Sequence, residues 1–383
     1  MQSFSHPLYS REDLLNVIHG VHGSRAISFR YDLLDKKDNK LKELYSVIDG
    51  EVSMSSLAQI KRTAKFTIQD QGDIDYLSNR IQPWIIFKMP KMMKRIDTQT
   101  VNVPSQNIEF PLGVFLLGSP TRKEDSNSVI RQVDAYDGLL VLRDDKFDSR
   151  YFIAAGTNYR NAVISILESA GIDKHNIEET NNVLPTDLEF EPGKEKLFSI
   201  NELLGAINFT PIHVDVYGYY TSIYYRSPSV RAAEYVYADD IKSILSAGME
   251  EELNLVETPN RWVVTVSNPE QEPLISTYTN DNSNSPTSTI NRGRKITDFR
   301  QIENIADQNS LNGYVQRIAF EASQVYGKLK FSTAINPLHD YADVLEIIYS
   351  PLGIKDKYSE TSWTIPLRAG ALMSHEVRKV VQI

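Results

Sequence analysis

The chain contains no cysteine. Disulfides, thiolate zinc centres and a cysteine nucleophile are therefore excluded, and no part of the fold depends on the redox state of its surroundings. Long apolar runs are missing too. The most apolar windows, WIIFKM at Trp84 to Met89 and FPLGVFLLG at Phe110 to Gly118, fall far short of the roughly 20 residues a membrane helix needs. They read as buried strands. The N-terminal MQSFSHPLYSREDLLNVIHG lacks the basic start and apolar stretch of a secretion signal. Positive charge is also scarce: 41 Lys and Arg face 50 Asp and Glu, a formal charge of -9 that argues against broad affinity for nucleic acid. An inner surface that repels DNA fits this balance better than one that holds it.

Catalytic signatures are equally scarce. Neither the Walker pattern nor G-x-G-x-x-G occurs, and there is no G-x-S-x-G elbow. HEVRK at His375 to Lys379 opens like a zinc-protease helix, but lysine stands where the second histidine ligand belongs, so a strand is the better reading. His19 and His22 in HGVHG lack a nearby carboxylate and read as helix-end decoration. Asp134, Asp137, Asp144, Asp145 and Asp148 crowd one run, and Glu250 to Glu252 form another. Paired catalytic carboxylates are recognised by geometry across a cleft, so both runs read as turns and solvated edges that discourage strand pairing. Tyr224 and Tyr225 read as cross-strand partners before they read as a sugar platform. No enzyme, cofactor or metal site is expected.

What is present is a globular chain of 383 residues, 41% hydrophobic, large enough for two to four compact domains. Four helices announce themselves: Ser10 to Ile18 with Ser10 and Asp13 at capping spacing; TNYRNAVISILESAG capped by Thr157 and stopped by Gly171; SINELLGAIN with Ser199 and Glu202 as a capping box; and 310–326, stopped by Gly327. Nearly everything else alternates like strands, in AISFRYDL, RTAKFTIQD, RWVVTVS, KLKFSTAI and TSWTIPL. PIHVDVYGYYTSIYY predicts a hairpin turning at Tyr217 and Gly218. The strands fall in two blocks, about 24–155 and 210–383, with helices between them. This order predicts a mainly β protein of two barrels or sandwiches plus a smaller helical domain.

The most polar run, TNDNSNSPTSTINRGRK at Thr279 to Lys295, fits no ligand loop. Counting from Asp281, a calcium loop would put Ser283, Ser285, Thr287 and Arg292 where acidic ligands belong. As a phosphate loop it has a single glycine and no helix pattern behind it. It reads as a long polar loop ending in a basic cluster, either a flexible excursion between strands or a contact for an acidic neighbour, and Arg292, Arg294 and Lys295 are expected to meet acidic groups of an adjacent subunit or partner.

Taken together, RYDLLDKKDNKLKEL, AQIKRTAKFTIQDQGDIDYLSNRIQPWIIF, FPLGVFLLGSPTRK, VDAYDGLLVLRDDKFD, AGTNYRNAVISILESAGI, LPTDLEFEPGKEKLFSINELLGAINFTPIHVD, NSPTSTINRGRK and SPLGIKDKYSETSWTIPLRAG resemble the hub proteins of bacteriophage tails. That family is related to the T4 gene product 27 baseplate hub and to the tail-associated hub proteins of siphophages, and the resemblance runs from about residue 24 to the end. It implies two β-barrel-like hub domains with an α+β insertion. The expected division is an N-terminal arm or helix at 1–23, a first barrel at 24–155 completed by 210–237, an insertion at 156–209 joined by the helix at 310–326, and a second barrel at 238–383. It further implies a non-enzymatic virion protein made in the host cytoplasm. In this picture a homotrimeric, pseudo-sixfold ring adapts the tail tube or distal tail ring to a threefold tip or spike and lines or closes the DNA channel. Implied partners are distal tail or tail-tube protein, tip, spike or receptor-binding proteins and the tape measure protein, with neither sequence-specific nucleic-acid binding nor a membrane anchor. Many siphophage relatives continue into an endopeptidase or receptor-binding extension, whereas this chain stops at Ile383, which leaves those tasks to other proteins. The alternative is a cell-wall-degrading or carbohydrate-binding tail component that uses the acidic runs.

Overall fold

RTAKFTIQ places apolar residues at every second position, the period at which a strand turns one face inward. In the computed structural model, which describes residues 1–21, 23, 25–96, 99–125, 128–253, 258–267, 273–324, 327–381 and 383, this segment is the strand Arg62–Gln69. Its Ala64, Phe66 and Ile68 are buried, while Lys65 and Gln69 are exposed. The same alternation builds Arg80–Met89, Gly327–Ala334 and Leu372–Lys379. Strands make up 41% of the protein and helices 17%, so the fold is mainly β as expected.

The two strand blocks meet in one 15-stranded sheet. Its main path runs Glu250–Leu253, Gly327–Ala334, Leu372–Lys379, Ile354–Pro366, Val47–Ser55, Arg62–Gln69, Ser128–Tyr136, Phe115–Leu117, Arg80–Met89, Ile27–Leu34 and Lys40–Leu44. The join is the antiparallel pairing of Ile354–Pro366 with Val47–Ser55, in the register Trp363 to Met54 and Ile365 to Val52. All four of these side chains are buried in a single core that draws on both blocks. A one-residue slip here would turn the core-facing set to the opposite face, so burial fixes the register.

The helices follow their caps with shifts that tertiary burial explains. Ser10 caps Arg11–Ile18 and shares a capping box with Asp13. Leu14 and Ile18 of this helix are fully buried, and the Tyr9 hydroxyl donates to the Pro104 carbonyl at 2.6 Å. The segment 1–23 therefore lies on its own chain over the described part of its length. Tyr159–Ser169 is capped by Asn158, one residue past the expected Thr157. Lys196–Ala206 begins before the Ser199 cap that the sequence suggests, because Lys196 and Leu197 are buried in the helical core and extend the helix backward. Ser199 then sits inside the helix, with its hydroxyl donating to the Glu195 carbonyl. Gln308–Ser323 starts at an Asp307 cap rather than at Ser310, and the expected end at Tyr326 lies outside the described residues. The hairpin forms as predicted, His213–Val214 pairing with Tyr220–Ser222 around Gly218 at φ 88°.

Among the described residues there are two smaller cores as well. Leu139, Leu142, Val163, Ile166, Leu167, Ile200 and Leu204 gather the helices Leu139–Asp144, Tyr159–Ser169 and Lys196–Ala206. Trp262, Val264, Leu311, Val315 and Ile318 seal Gln308–Ser323 against the three-stranded sheet Ile275–Thr279, Arg261–Val266 and Thr297–Ile302.

Candidate functional site

Strand alternation that buries one face of the main sheet leaves the other face polar. Directly opposed residues run across five strands as Ser332, Ser374, Thr364, Ser53 and Thr63, a row of hydroxyls. Beside it, Glu250, Lys330, Glu376 and Ser362 form a second row, and Pro366, Glu51, Lys65 and Asp134 a third. Ser53 Oγ and Thr364 Oγ1 are hydrogen-bonded at 2.8 Å, and Lys65 reaches Glu51 and Lys328 reaches Glu376, both at 3.0 Å. Charges of opposite sign thus alternate on a face without a basic stripe. Individual pairs of this kind contribute roughly 0–1 kcal/mol, so their effect is on surface potential more than on stability.

The polar run Thr279 to Lys295 is a built knob rather than a loose excursion. Asn280, Ser285, Thr287 and Ser288 are buried. Asn280 Nδ2 donates to Ser285 Oγ at 2.9 Å and to Thr287 Oγ1 at 3.3 Å, while Asn291 Nδ2 donates to the carbonyls of Ser283 and Ser285, each at 2.8 Å. Ser288 caps the short helix Thr289–Arg292, and Gly293 ends it in the left-handed region at φ 63°. Of the basic trio, Arg292 is tied back through Nη1 to the Thr258 carbonyl at 2.8 Å, and burial beside Arg294 lowers its pKa. The side chains of Arg294 and Lys295 are exposed, and the Arg294 carbonyl accepts from Asn260 Nδ2. The knob therefore presents two cations on a rigid base.

The other candidate residues scatter. His375 lies in the strand Leu372–Lys379, as read from HEVRK. His19 Nδ1 meets the Lys242 carbonyl and its Nε2 the Tyr235 hydroxyl, while His22 lies outside the described residues. The acidic run does not converge on a cleft: Asp144 pairs with its neighbour Arg143, and Asp145 with Lys196 at 2.6 Å. Asp137 departs from the reading of a solvated turn. It is buried, accepts from the backbone N–H groups of Arg62 and Leu139, and is pushed up to about 6 by burial against the pull of those donors. Tyr224 meets Phe209 edge to face at 6.2 Å, and its bridge partner across strands is Phe209.

One cluster joins His375 to two residues that the sequence does not single out. His339, Glu360 and His375 come from a connecting segment and two strands, and their side chains are fully buried. Glu360 Oε2 lies 2.6 Å from His339 Nδ1, and Oε1 lies 2.7 Å from His375 Nδ1. Asp343 Oδ2 stands 3.3 Å from His339 Nδ1. Burial alone would lower the His339 pKa, but the Glu360 and Asp343 carboxylates outweigh it and hold it at about 9. Positive charge is favoured at this spot. Only spatial convergence reveals the set, because the two histidines are 36 positions apart along the chain.

No protein-family model and no curated protein matches the sequence. Solved structures are. The tail protein from Neisseria meningitidis superposes with a TM-score of 0.64 at 12% identity, covering 93% of this chain and 97% of its own. The 43 kDa tail protein of prophage MuSo2 from Shewanella oneidensis gives 0.60 at 10% identity, covering 91% and 98%. The chain has the fold of phage tail proteins. A third tail-protein structure, prophage gp18 from Listeria monocytogenes, gives 0.55 at 12% identity over 91% and 94%. The tail-protein fold thus extends over nearly the whole chain.

Proposed function

We propose that this protein is a structural component of a phage or prophage-derived tail, a hub that assembles as a homotrimeric ring and lines the channel through which DNA leaves. The fold supports the tail assignment, and a structural rather than enzymatic role accords with it. The observation that carries the channel reading is the polar sheet face. Its hydroxyl row and alternating charges offer a hydrated wall, with Lys65, Lys328, Lys330 and Arg378 offset by Glu51, Asp134, Glu250, Glu252 and Glu376. A wall without net positive charge releases few counterions from DNA and so holds it weakly.

In this reading the ring adapts the sixfold tail tube or distal tail ring to a threefold tip, and each chain supplies its two halves as quasi-equivalent units, the first at 24–155 with 210–237 and the second at 238–383. A ring follows when a heterologous interface completes its rotation. The knob, through Arg294 and Lys295 with Arg292 behind them, meets acidic groups on a neighbouring subunit or tail protein. Mass measurement of the purified protein, alone and mixed with tail-tube or distal tail proteins, tests the proposal. A trimer, or trimerisation on mixing, supports it; a monomer under both conditions overturns it.

A further inference from the structure

We propose that His339, Glu360 and His375 form a buried binding site for a divalent transition-metal ion of the zinc type, with the two imidazoles and the Glu360 carboxylate as ligands and Asp343 beside them. The argument begins with the carboxylate that the two rings share. His375 Nδ1 faces Glu360 Oε1 at 2.7 Å, and His339 Nδ1 faces Glu360 Oε2 at 2.6 Å. Thr333 Oγ1 lies 2.9 Å from His375 Nε2 and 2.8 Å from the Ala334 carbonyl, within reach of both. Either a proton or a metal ion can lie between an imidazole nitrogen and a carboxylate oxygen.

The surroundings favour the metal. His339, Glu360 and His375 each bring one potential ligand atom within 4.8 Å of the others, and the Asp343 carboxylate adds negative charge beside them, 3.3 Å from His339 Nδ1. Asp343 Oδ1 meanwhile holds the Met1 amino group at 2.5 Å, and Oδ2 also accepts from the Asp340 N–H. Two imidazoles and a carboxylate, without thiolate, suit zinc, and all three side chains are fully buried. The far nitrogen of each ring meets a hydroxyl, Tyr237 at 2.6 Å for His339 and Thr333 for His375. Outer partners of this kind fix the orientation of metal-bound imidazoles. Loading opens the 2.6 and 2.7 Å nitrogen–oxygen separations toward about 3.3 Å, the spacing that metal–ligand bonds of about 2.0 Å impose in a tetrahedron. A bound ion would tie the segment that carries His339 and Asp343 to the strands Ile354–Pro366 and Leu372–Lys379.

The test is elemental analysis of the purified full chain after incubation with zinc and dialysis against metal-free buffer, in parallel with His375→Gln and His339→Gln. One zinc per chain in the wild type, lost in both variants, is expected, along with a melting temperature that a strong chelator lowers in the wild type alone. Should a variant fail to fold, the wild type is loaded with Co2+ instead, and visible absorption of tetrahedral nitrogen and oxygen coordination supports the site. Wild-type protein that keeps no zinc and gives no such cobalt spectrum overturns the proposal in favour of a proton between His375 and Glu360. Equal zinc in wild type and folded variants overturns it in favour of surface histidines.

Discussion

Trp363 stands directly opposite Met54 where strands from the two ends of the chain pair, and both side chains are buried. The indole Nε1 donates to the Asp340 carbonyl at 3.0 Å, and the Arg62 guanidinium lies over the ring at 5.4 Å. One side chain thus holds the sheet seam, a connecting segment and a buried cation together. Trp363→Ala is expected to cost about 3–5 kcal/mol, the usual range for truncating a buried aromatic. Urea unfolding followed by tryptophan-independent circular dichroism checks this. A single transition moved to lower urea fits a shared core; an unmoved transition accompanied by a second, shifted one would show two independently stable halves.

Asn280 anchors the knob. Asn280→Ala leaves Ser285 and Thr287 without their buried donor, at about 1–3 kcal/mol. The loss is expected to be local, because the knob sits outside the main core. Hydrogen exchange should accelerate at the amides of Ser285, Ser288 and Thr289 and remain unchanged in Arg62–Gln69. Uniform acceleration in both places would contradict a locally built knob.

Arg294 and Lys295 are exposed, so the double change Arg294→Glu with Lys295→Glu should leave the melting temperature within a degree or two of the wild type. If the knob contacts acidic groups, assembly into rings or onto tail proteins weakens roughly tenfold or more at low salt, with a smaller difference as ionic strength rises. Sedimentation at two salt concentrations provides the measurement. Arg292 stays unchanged in this variant because it bonds to the Thr258 carbonyl, and its loss would confuse folding with contact.

His213 supplies a pH dependence. Burial lowers its pKa from 6.5 to about 4, with Arg62 and Lys61 adding to the effect and the Pro211 carbonyl and Asp340 opposing it. The folded state therefore prefers the neutral ring. The contribution is fully present above pH 6.5 and is lost as pH falls toward 4, by at most about 3 kcal/mol. His213→Phe keeps an aromatic ring against Tyr341, whose centroid lies 4.0 Å from that of His213. The wild-type stability minus the variant stability should be larger at pH 7.5 than at pH 4.5. An equal difference at the two values would remove His213 as the source.

Local signals in the sequence carried much of the architecture. Ser10 with Asp13 marked a helix start, alternation in RTAKFTIQ marked a half-buried strand, and Gly218 marked a turn, each because the cause lies within a few residues. The Lys196–Ala206 helix was misplaced at its start because the burial of Lys196 and Leu197 is a tertiary fact. The seam at Trp363 and Met54 was invisible for the same reason. So was the meeting of His339, Glu360 and His375. The knob was misjudged because serine, threonine and asparagine signal exposure by composition, whereas here they satisfy one another out of water.

The sheet seam also has a consequence for biosynthesis. As a ribosome delivers the chain, the strand Val47–Ser55 pairs early with Arg62–Gln69 but waits for Ile354–Pro366 on its other edge. Contacts so distant in sequence close slowly, and the waiting edge is open to the wrong partners. The central wall of the molecule therefore cannot be completed before the strand Ile354–Pro366 has been made. A chain cut ahead of that strand keeps a raw edge on Val47–Ser55.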